Sequence, residues 1–251
     1  MRASVRYCVV VLLGTVWPHG IALAVVGAAG SGTVEGEVDL PKAGVEEPRL
    51  RYGGFIERIK NPVMPIKSFD PRPECVVYLE GGPAAESAAR PSSGAVTWEL
   101  GPVSFHAPLL PVVAGTEVVI KNVSKNVSHA LYADDADFFK QENAAGPLGP
   151  GGDRRGVAKA TNKAVVVRSS DSPHLEARVV AFPTRYFARV DARTGRFKIE
   201  DVPAGKWTVR VWYRDAWLAT PAQTVEVNGK STTTKITLPE RVEASPPAKG
   251  K

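Results

Sequence analysis

The stretch that most constrains this chain runs from Phe105 to Tyr132, FHAPLLPVVAGTEVVIKNVSKNVSHALY. It reads as a short apolar strand over Leu109–Val113, a turn at Ala114-Gly115, a second strand over Thr116–Asn122, a polar loop, and a lone histidine, His129. Apolar runs this short, punctuated by glycine, specify strands rather than helices. The texture continues: 23 Gly and 21 Pro among 251 residues break the chain into short runs rich in Val, Thr and Tyr. The expected fold class is all-β, and the length suffices for one or two domains with proper cores.

Further strands follow from the side-chain alternation. Gly32–Leu40 alternates as a half-buried first strand. Cys75–Glu80 puts Cys75, Val77 and Leu79 on one side and Val76 and Tyr78 on the other. Ala95–Leu100 and Ala177–Phe182 are two more, and the apolar run Ala164–Arg168 reads as a buried strand. From Tyr186 come three short strands with turns at Arg193-Thr194-Gly195 and Pro203-Ala204-Gly205. In Lys206–Asp215, Trp207, Val209, Val211 and Tyr213 share one face, and Thr208, Arg210, Trp212 and Arg214 the other. Asn228-Gly229, between Thr224–Val227 and Thr232–Leu238, is a strong hairpin signal. Residues 42–74 hold many prolines and read as a long connection with a helical turn at Phe55–Lys60. A second turn of helix is expected at Asp137–Glu142, and residues 239–251 read as a disordered tail.

The N-terminus reads as a targeting segment. Arg2 and Arg6 precede the apolar run Cys8–Val16, and Ala22-Leu23-Ala24 has the small-x-small form of a cleavage site. The run is too short to span a bilayer and is broken by Pro18, His19 and Gly20. Residues 1–24 are therefore expected to leave as a signal peptide, giving a periplasmic or secreted chain with no membrane span. Cys8 leaves with them, so Cys75 becomes the sole cysteine and no internal disulfide forms. The histidines that remain are His106, His129 and His174. The net charge of +6 is spread without any Lys/Arg block, which gives no support to nucleic-acid binding.

His129 and His174 each stand at a strand–loop junction, and in a Greek-key sandwich two such loops can share one end. Neutral imidazole is a common copper or zinc ligand. Three readings stay open: hydrogen-bonded loop residues in a metal-free sandwich; a Cu(II) or Zn(II) site of His129 and His174 with a carboxylate such as Asp134 or Asp171; and a blue-copper centre completed by Cys75. Nothing basic stands beside Cys75 in the sequence to make it a thiolate. No G-x-S-x-G elbow, HExxH, phosphate loop or dinucleotide fingerprint occurs, so no enzyme is expected. Asp134, Asp135 and Asp137 lack EF-hand spacing and read as a solvated acidic loop. Trp212 lies opposite the core face and either covers a neighbouring module or, if exposed, stacks with Trp217 against a sugar or partner.

The segment VVAGTEVVIKNVSKNVSHALY resembles the part of cupredoxins in which a strand leads through Asn to the first copper-ligand His. The span from Gly32 to Trp212 is similar to exported plastocyanin-like proteins labelled methylamine-utilisation-like. There a cupredoxin module runs into a carboxypeptidase-regulatory-like (transthyretin-like) β unit. The matching features are VVYLEG (Val76–Gly81), Ala114–Asn122, His129, Ser169–Leu175 and GRFKIEDVPAGKWTVRVW (Gly195–Trp212). The family's second loop reads approximately Cys-Asp-x-His-Pro-His-Met. In this chain Ser169 stands for the thiolate, Ser172 for a histidine and Leu175 for the axial methionine, while His174 remains. A serine hydroxyl cannot supply thiolate covalency. The resemblance thus implies a Greek-key cupredoxin-like sandwich over residues 31–182, a small β unit over 183–238, and a degenerate copper loop. The two units can pack as one body, with the first strand pairing late. The expected function is an exported, non-catalytic interaction module without a resident cofactor. Its partner would be an exported protein or cell-envelope component. The alternative is copper binding or electron transfer through His129 and His174.

Overall fold

The computed structural model describes residues 30–41, 70–82, 94–139, 146–159, 163–221 and 223–239. The expected signal peptide, the turn expected at Phe55–Lys60, most of the 42–74 connection and nearly all of the expected tail lie outside the described residues, as does the end of the turn expected at Asp137–Glu142. The described residues fold as β-strands with one short 3-10 turn at Arg72–Glu74. Among them no helix is long and apolar enough to cross a membrane.

Seven consecutive strands build the first sandwich: β3 (Val96–Leu100), β4 (Leu109–Val113), β5 (Glu117–Asn122), β6 (Leu131–Ala133), β7 (Asp153–Val157), β8 (Val165–Ser169) and β9 (Glu176–Phe182). One sheet has the order β3-β5-β7 and the other β4-β9-β8-β6. The inward residues are those the alternation marks. Val118, Ile120 and Asn122 of β5 are buried while Lys121 is exposed. Trp98 and Phe105 meet at a centroid distance of 4.1 Å, and the Trp98 indole N–H donates to Ala107 O at 3.0 Å. The strand β8, VVVRS, is buried almost throughout, as its unbroken apolar run requires.

The second sandwich is not a C-terminal appendage. Its strands are β1 (Ser31–Asp39), β2 (Cys75–Glu80), β10 (Phe187–Arg189), β11 (Arg196–Pro203), β12 (Gly205–Tyr213), β13 (Ala216–Trp217), β14 (Gln223–Val227) and β15 (Ser231–Thr237). One sheet runs β11-β1-β15; the other runs β10-β2-β12-β13, with β14 also on β12. The boundary expected at 182/183, with everything from residue 31 onward in the first unit, therefore needs correction. Strand β1 pairs antiparallel with β11 and parallel with β15, and β2 is held between β10 and β12. The seven-stranded sandwich is inserted between β2 and β10. The physical reason is core composition: Val34, Val38, Cys75, Val77 and Leu79 pack with Phe197, Trp207, Val209 and Val211, and not with Trp98 or Ile120.

The Asn228-Gly229 turn also differs from expectation. Strand β14 pairs with β12 and β15 with β1, so the turn carries the chain from one sheet to the other. Gly229 takes φ +80°, which glycine adopts without steric cost. The flanking strands are tied by side chains: Thr232 Oγ1 donates to Glu226 O at 3.1 Å, and Gln223 Nε2 to Lys235 O at 3.0 Å.

A third apolar cluster joins the sandwiches. Val76, Tyr78 and Trp212 of the second meet Leu109, Val180 and Phe182 of the first. Tyr78 stacks on Phe182 at 5.0 Å and 14°, and Trp212 meets Trp217 edge-on at 5.0 Å. Arg178 and Asp215 close the margin with a 3.0 Å ion pair.

Candidate functional site

At one end of the first sandwich four loops converge around His129. Asn122, buried at the end of β5, organises the first of them. Its Nδ2 donates to Val127 O at 2.8 Å and Leu148 O at 3.0 Å, and its Oδ1 accepts from Ser124 N at 3.0 Å. This Asx turn holds the polar loop so that His129 enters the protein. The His129 backbone exchanges hydrogen bonds with Leu148, at 3.1 and 2.8 Å. Its ring is fully buried, with Nε2 3.2 Å from Gly101 O. A carbonyl only accepts, so Nε2 carries a proton, and Nδ1 is the ring nitrogen that remains. That Nδ1 has no hydrogen-bond partner.

The second loop closes over the same place. The Ser169 hydroxyl donates to the Asp171 carboxylate, and the same carboxylate accepts from the Ala130 N–H at 3.2 Å. The Ser169 hydroxyl holds the Asp171 carboxyl below the usual carboxylate range, helped by the Ala130 N–H and the neighbouring His129. Leu175 is buried beneath the loop. Ser172 is half-buried and takes Leu175 N–H on its carbonyl at 2.8 Å. His174 is exposed.

The proposed metal set of His129, His174, Asp134 and Asp171 does not come together. Among the described residues, no three His, Cys, Asp or Glu side chains gather to hold an ion. Asp134 is engaged elsewhere: its carboxylate accepts from Val166 N at 2.7 Å and Lys163 Nζ at 2.9 Å. Burial opposes its ionisation, but these two donors hold its pKa below the ordinary value. Cys75 is no substitute thiolate. It lies in the core of the other sandwich, its Sγ donates to Pro71 O at 3.3 Å, and burial drives its pKa far up. The donor set around His129 is thus one imidazole nitrogen, a hydroxyl and an outlying carboxylate. It does not fit a His₂Cys copper centre.

The aromatic pair is likewise repositioned. Trp212 is 1% exposed and belongs to the cluster between the sandwiches, so it offers no stacking face to a sugar. Trp217 packs against the same cluster, with the Arg210 guanidinium 4.1 Å from its ring centroid. Cross-sheet register explains this, since Trp212 pairs with Val76 and Trp217 on the face that the first sandwich covers. His106 points to solvent and meets Glu99 at 2.8 Å.

Two residues that order this end escaped the sequence reading. Asn122 was visible only as the Asn that leads to the first His in the cupredoxin resemblance, although Asn followed two residues later by Ser is also an Asx-turn signal. Arg154 is 3% exposed and donates to Leu131 O at 2.8 Å and to Gly146 O, clamping β6 to the loop before β7. No local pattern distinguishes such an arginine from a surface one.

The geometry defines an all-β protein of two packed sandwiches with a loop-closed histidine at one end. Residues 155–235 match the family described as polysaccharide lyase family 4, domain II. That span starts in β7 and ends in β15, taking in most strands of the second sandwich. No curated protein matches the chain. Among solved structures, the chain is similar to a reduced variant of amicyanin at 14% identity and TM-score 0.28, covering 43% of this chain and 99% of that one. The reduced Cu(I) form of another amicyanin variant shares 16% identity at TM-score 0.28, covering 43% and 99%. Amicyanin from Paracoccus versutus shares 14% identity at TM-score 0.28, covering 42% and 97%.

Proposed function

We propose that this protein is an exported, non-catalytic binding module built on a cupredoxin-like sandwich whose metal end has become a hydrogen-bonded loop closure. The observation that carries this reading is the Ser169–Asp171–Ala130 lock. The position that the family resemblance gives to a thiolate holds a hydroxyl committed to a carboxylate, and that carboxylate is committed to a backbone N–H. Such a closure favours a rigid loop end over a redox centre. The partner is an exported protein or an envelope component, met in the periplasm or outside the cell. The carboxypeptidase-regulatory-like resemblance of Gly195–Trp212 fits a second sandwich that serves as a packing and recognition unit.

A second reading has one specific observation behind it. The unpartnered Nδ1 of His129 is a buried imidazole nitrogen, the kind of donor Cu(II) takes once unprotonated. The test is Cu(II) titration of the purified mature chain beside His129→Ala and His174→Ala. The metal-free reading expects no stoichiometric binding to any of the three. One tightly held equivalent, lost in His129→Ala, would overturn it in favour of copper capture.

A further inference from the structure

The turn Asn228-Gly229-Lys230 carries chemistry that the binding reading does not use. All three residues are exposed. Val227 is the last β14 residue paired with β12, and Ser231 is the first β15 residue paired with β1, so these three make the whole crossing between sheets. Among the described residues, neither the Asn228 side chain nor the Gly229 N–H has a hydrogen-bond partner. Gly229 takes φ +80° and has no Cβ to shield its nitrogen.

These are the conditions for attack by a backbone nitrogen on the preceding asparagine amide. The Gly229 nitrogen gives up its proton and bonds to Asn228 Cγ. The Cγ–Nδ2 bond breaks, and Nδ2 leaves as ammonia with a proton. Water then opens the cyclic imide at either carbonyl. Opening at Cγ gives aspartate; opening at the backbone carbonyl gives isoaspartate, whose main chain runs through Cβ and Cγ. No other reactant is needed. The other described asparagines are protected. Asn122 is buried, its Nδ2 donates to Val127 O and Leu148 O at 2.8 and 3.0 Å, and Val123 follows it. Asn126 is exposed, but Val127 follows it, and the branched Cβ crowds the attacking nitrogen.

The crossing has little slack for a longer main chain. A Cβ at Gly32 would stand 2.6 Å from Lys230 O, and one at Gly229 would stand 3.9 Å from Gly30 Cα, so the turn lies against the start of β1. Isoaspartate adds a carbon to this path and a carboxylate beside Lys230. Strand β15 is the edge of its sheet, held by a parallel register on β1 that begins at Thr33 and Ser231, just past the turn. We infer that Asn228 is a site of spontaneous deamidation, and that isoaspartate there loosens β15 from β1. This goes beyond the loop-end reading and does not depend on it.

The test is incubation of the full mature chain in mildly alkaline buffer at physiological temperature. Peptide mapping by mass spectrometry, with isoaspartyl methyltransferase labelling, follows each asparagine. Ion exchange separates the more acidic product for thermal unfolding. Deamidation at Asn228 should run at least about tenfold faster than at Asn126, the effect of a modest barrier difference, and should be absent at Asn122. The isoaspartyl product should unfold at a lower temperature than fresh protein. Freshly purified Asn228→Asp, which carries the charge without the added carbon, should keep the original midpoint. Asn228→Gln, whose cyclisation needs a larger ring, should remove the reaction at this position; the side chain is exposed, and an unchanged midpoint checks its fold. No isoaspartate at Asn228, deamidation at Asn126 as fast, or an isoaspartyl product with the midpoint of fresh protein would each overturn the inference.

Discussion

Phe182 is the residue whose removal should do most to separate the two sandwiches. It ends β9, is 1% exposed, and stands within 5.0–6.2 Å, centroid to centroid, of Tyr78, Phe187, Trp217 and Trp212. Phe182→Ala removes a buried ring and leaves a cavity that strands fixed on both sides cannot fill. Such substitutions cost about 3–5 kcal/mol. Each aromatic pair adds about 0.5–1.5 kcal/mol beyond area burial, which places this site in the upper half of that range. For a chain of this size the thermal midpoint should fall by roughly 6–20 °C. The loss falls on the joint rather than on either core, so one calorimetric transition should resolve into two. Trp212 and Trp217 stand beside the cavity and report the first separation by fluorescence, while far-UV circular dichroism reports loss of strands. Val103→Ala, at a side chain 64% exposed, is the control and should change stability by less than about 0.5 kcal/mol. A single transition shifted by less than about 1 kcal/mol in Phe182→Ala would refute the claim that this cluster holds the sandwiches together.

Three further outcomes follow from named contacts. A Cβ at Gly36 would lie 2.2 Å from Thr234 O and 2.6 Å from the Phe197 ring, so Gly36→Ala should cost at least about 1–3 kcal/mol in urea unfolding. The Cys75 thiol, buried and with its pKa driven up, should resist iodoacetamide in the folded chain at neutral pH and react only on unfolding, as mass spectrometry would read. Asp171 has a folded pKa below its unfolded value, so its stabilising effect is present above about pH 4 and is lost as pH falls through the folded pKa. Asp171→Asn should therefore be less stable at neutral pH and show a shallower acid decline; an unchanged pH–stability profile would deny the Ser169–Asp171–Ala130 lock.

The strands were legible because alternation is a local property. In Lys206–Asp215 the burial of Trp207, Val209, Val211 and Tyr213 on one face follows from period-two spacing alone. The burial of β8 follows equally from its continuous apolar run. That the Ser169–Leu175 loop holds neither Cys nor Met was visible too, since residue identity decides what donor atoms exist. Pairing was another matter. The partner of Ser31–Asp39 lies more than 150 residues away in the chain, and nothing in its own alternation distinguishes β11 and β15 from β5.

By itself, then, the sequence determined that this chain is built of short strands, that Cys75 shares a face with Val77 and Leu79 and Trp207 with Val209 and Val211, and that the Ser169–Leu175 loop holds no thiolate. Tertiary structure alone decided that β2 belongs with β10–β15, that Asn228-Gly229 crosses between sheets, and which of the two readings of Trp212 holds, a joint and not a platform. It also decided that His174 faces solvent while His129 is sealed. The reason is physical: side-chain period and donor chemistry act within a few residues. Which apolar face covers which is settled only when every strand must bury its inward side at once.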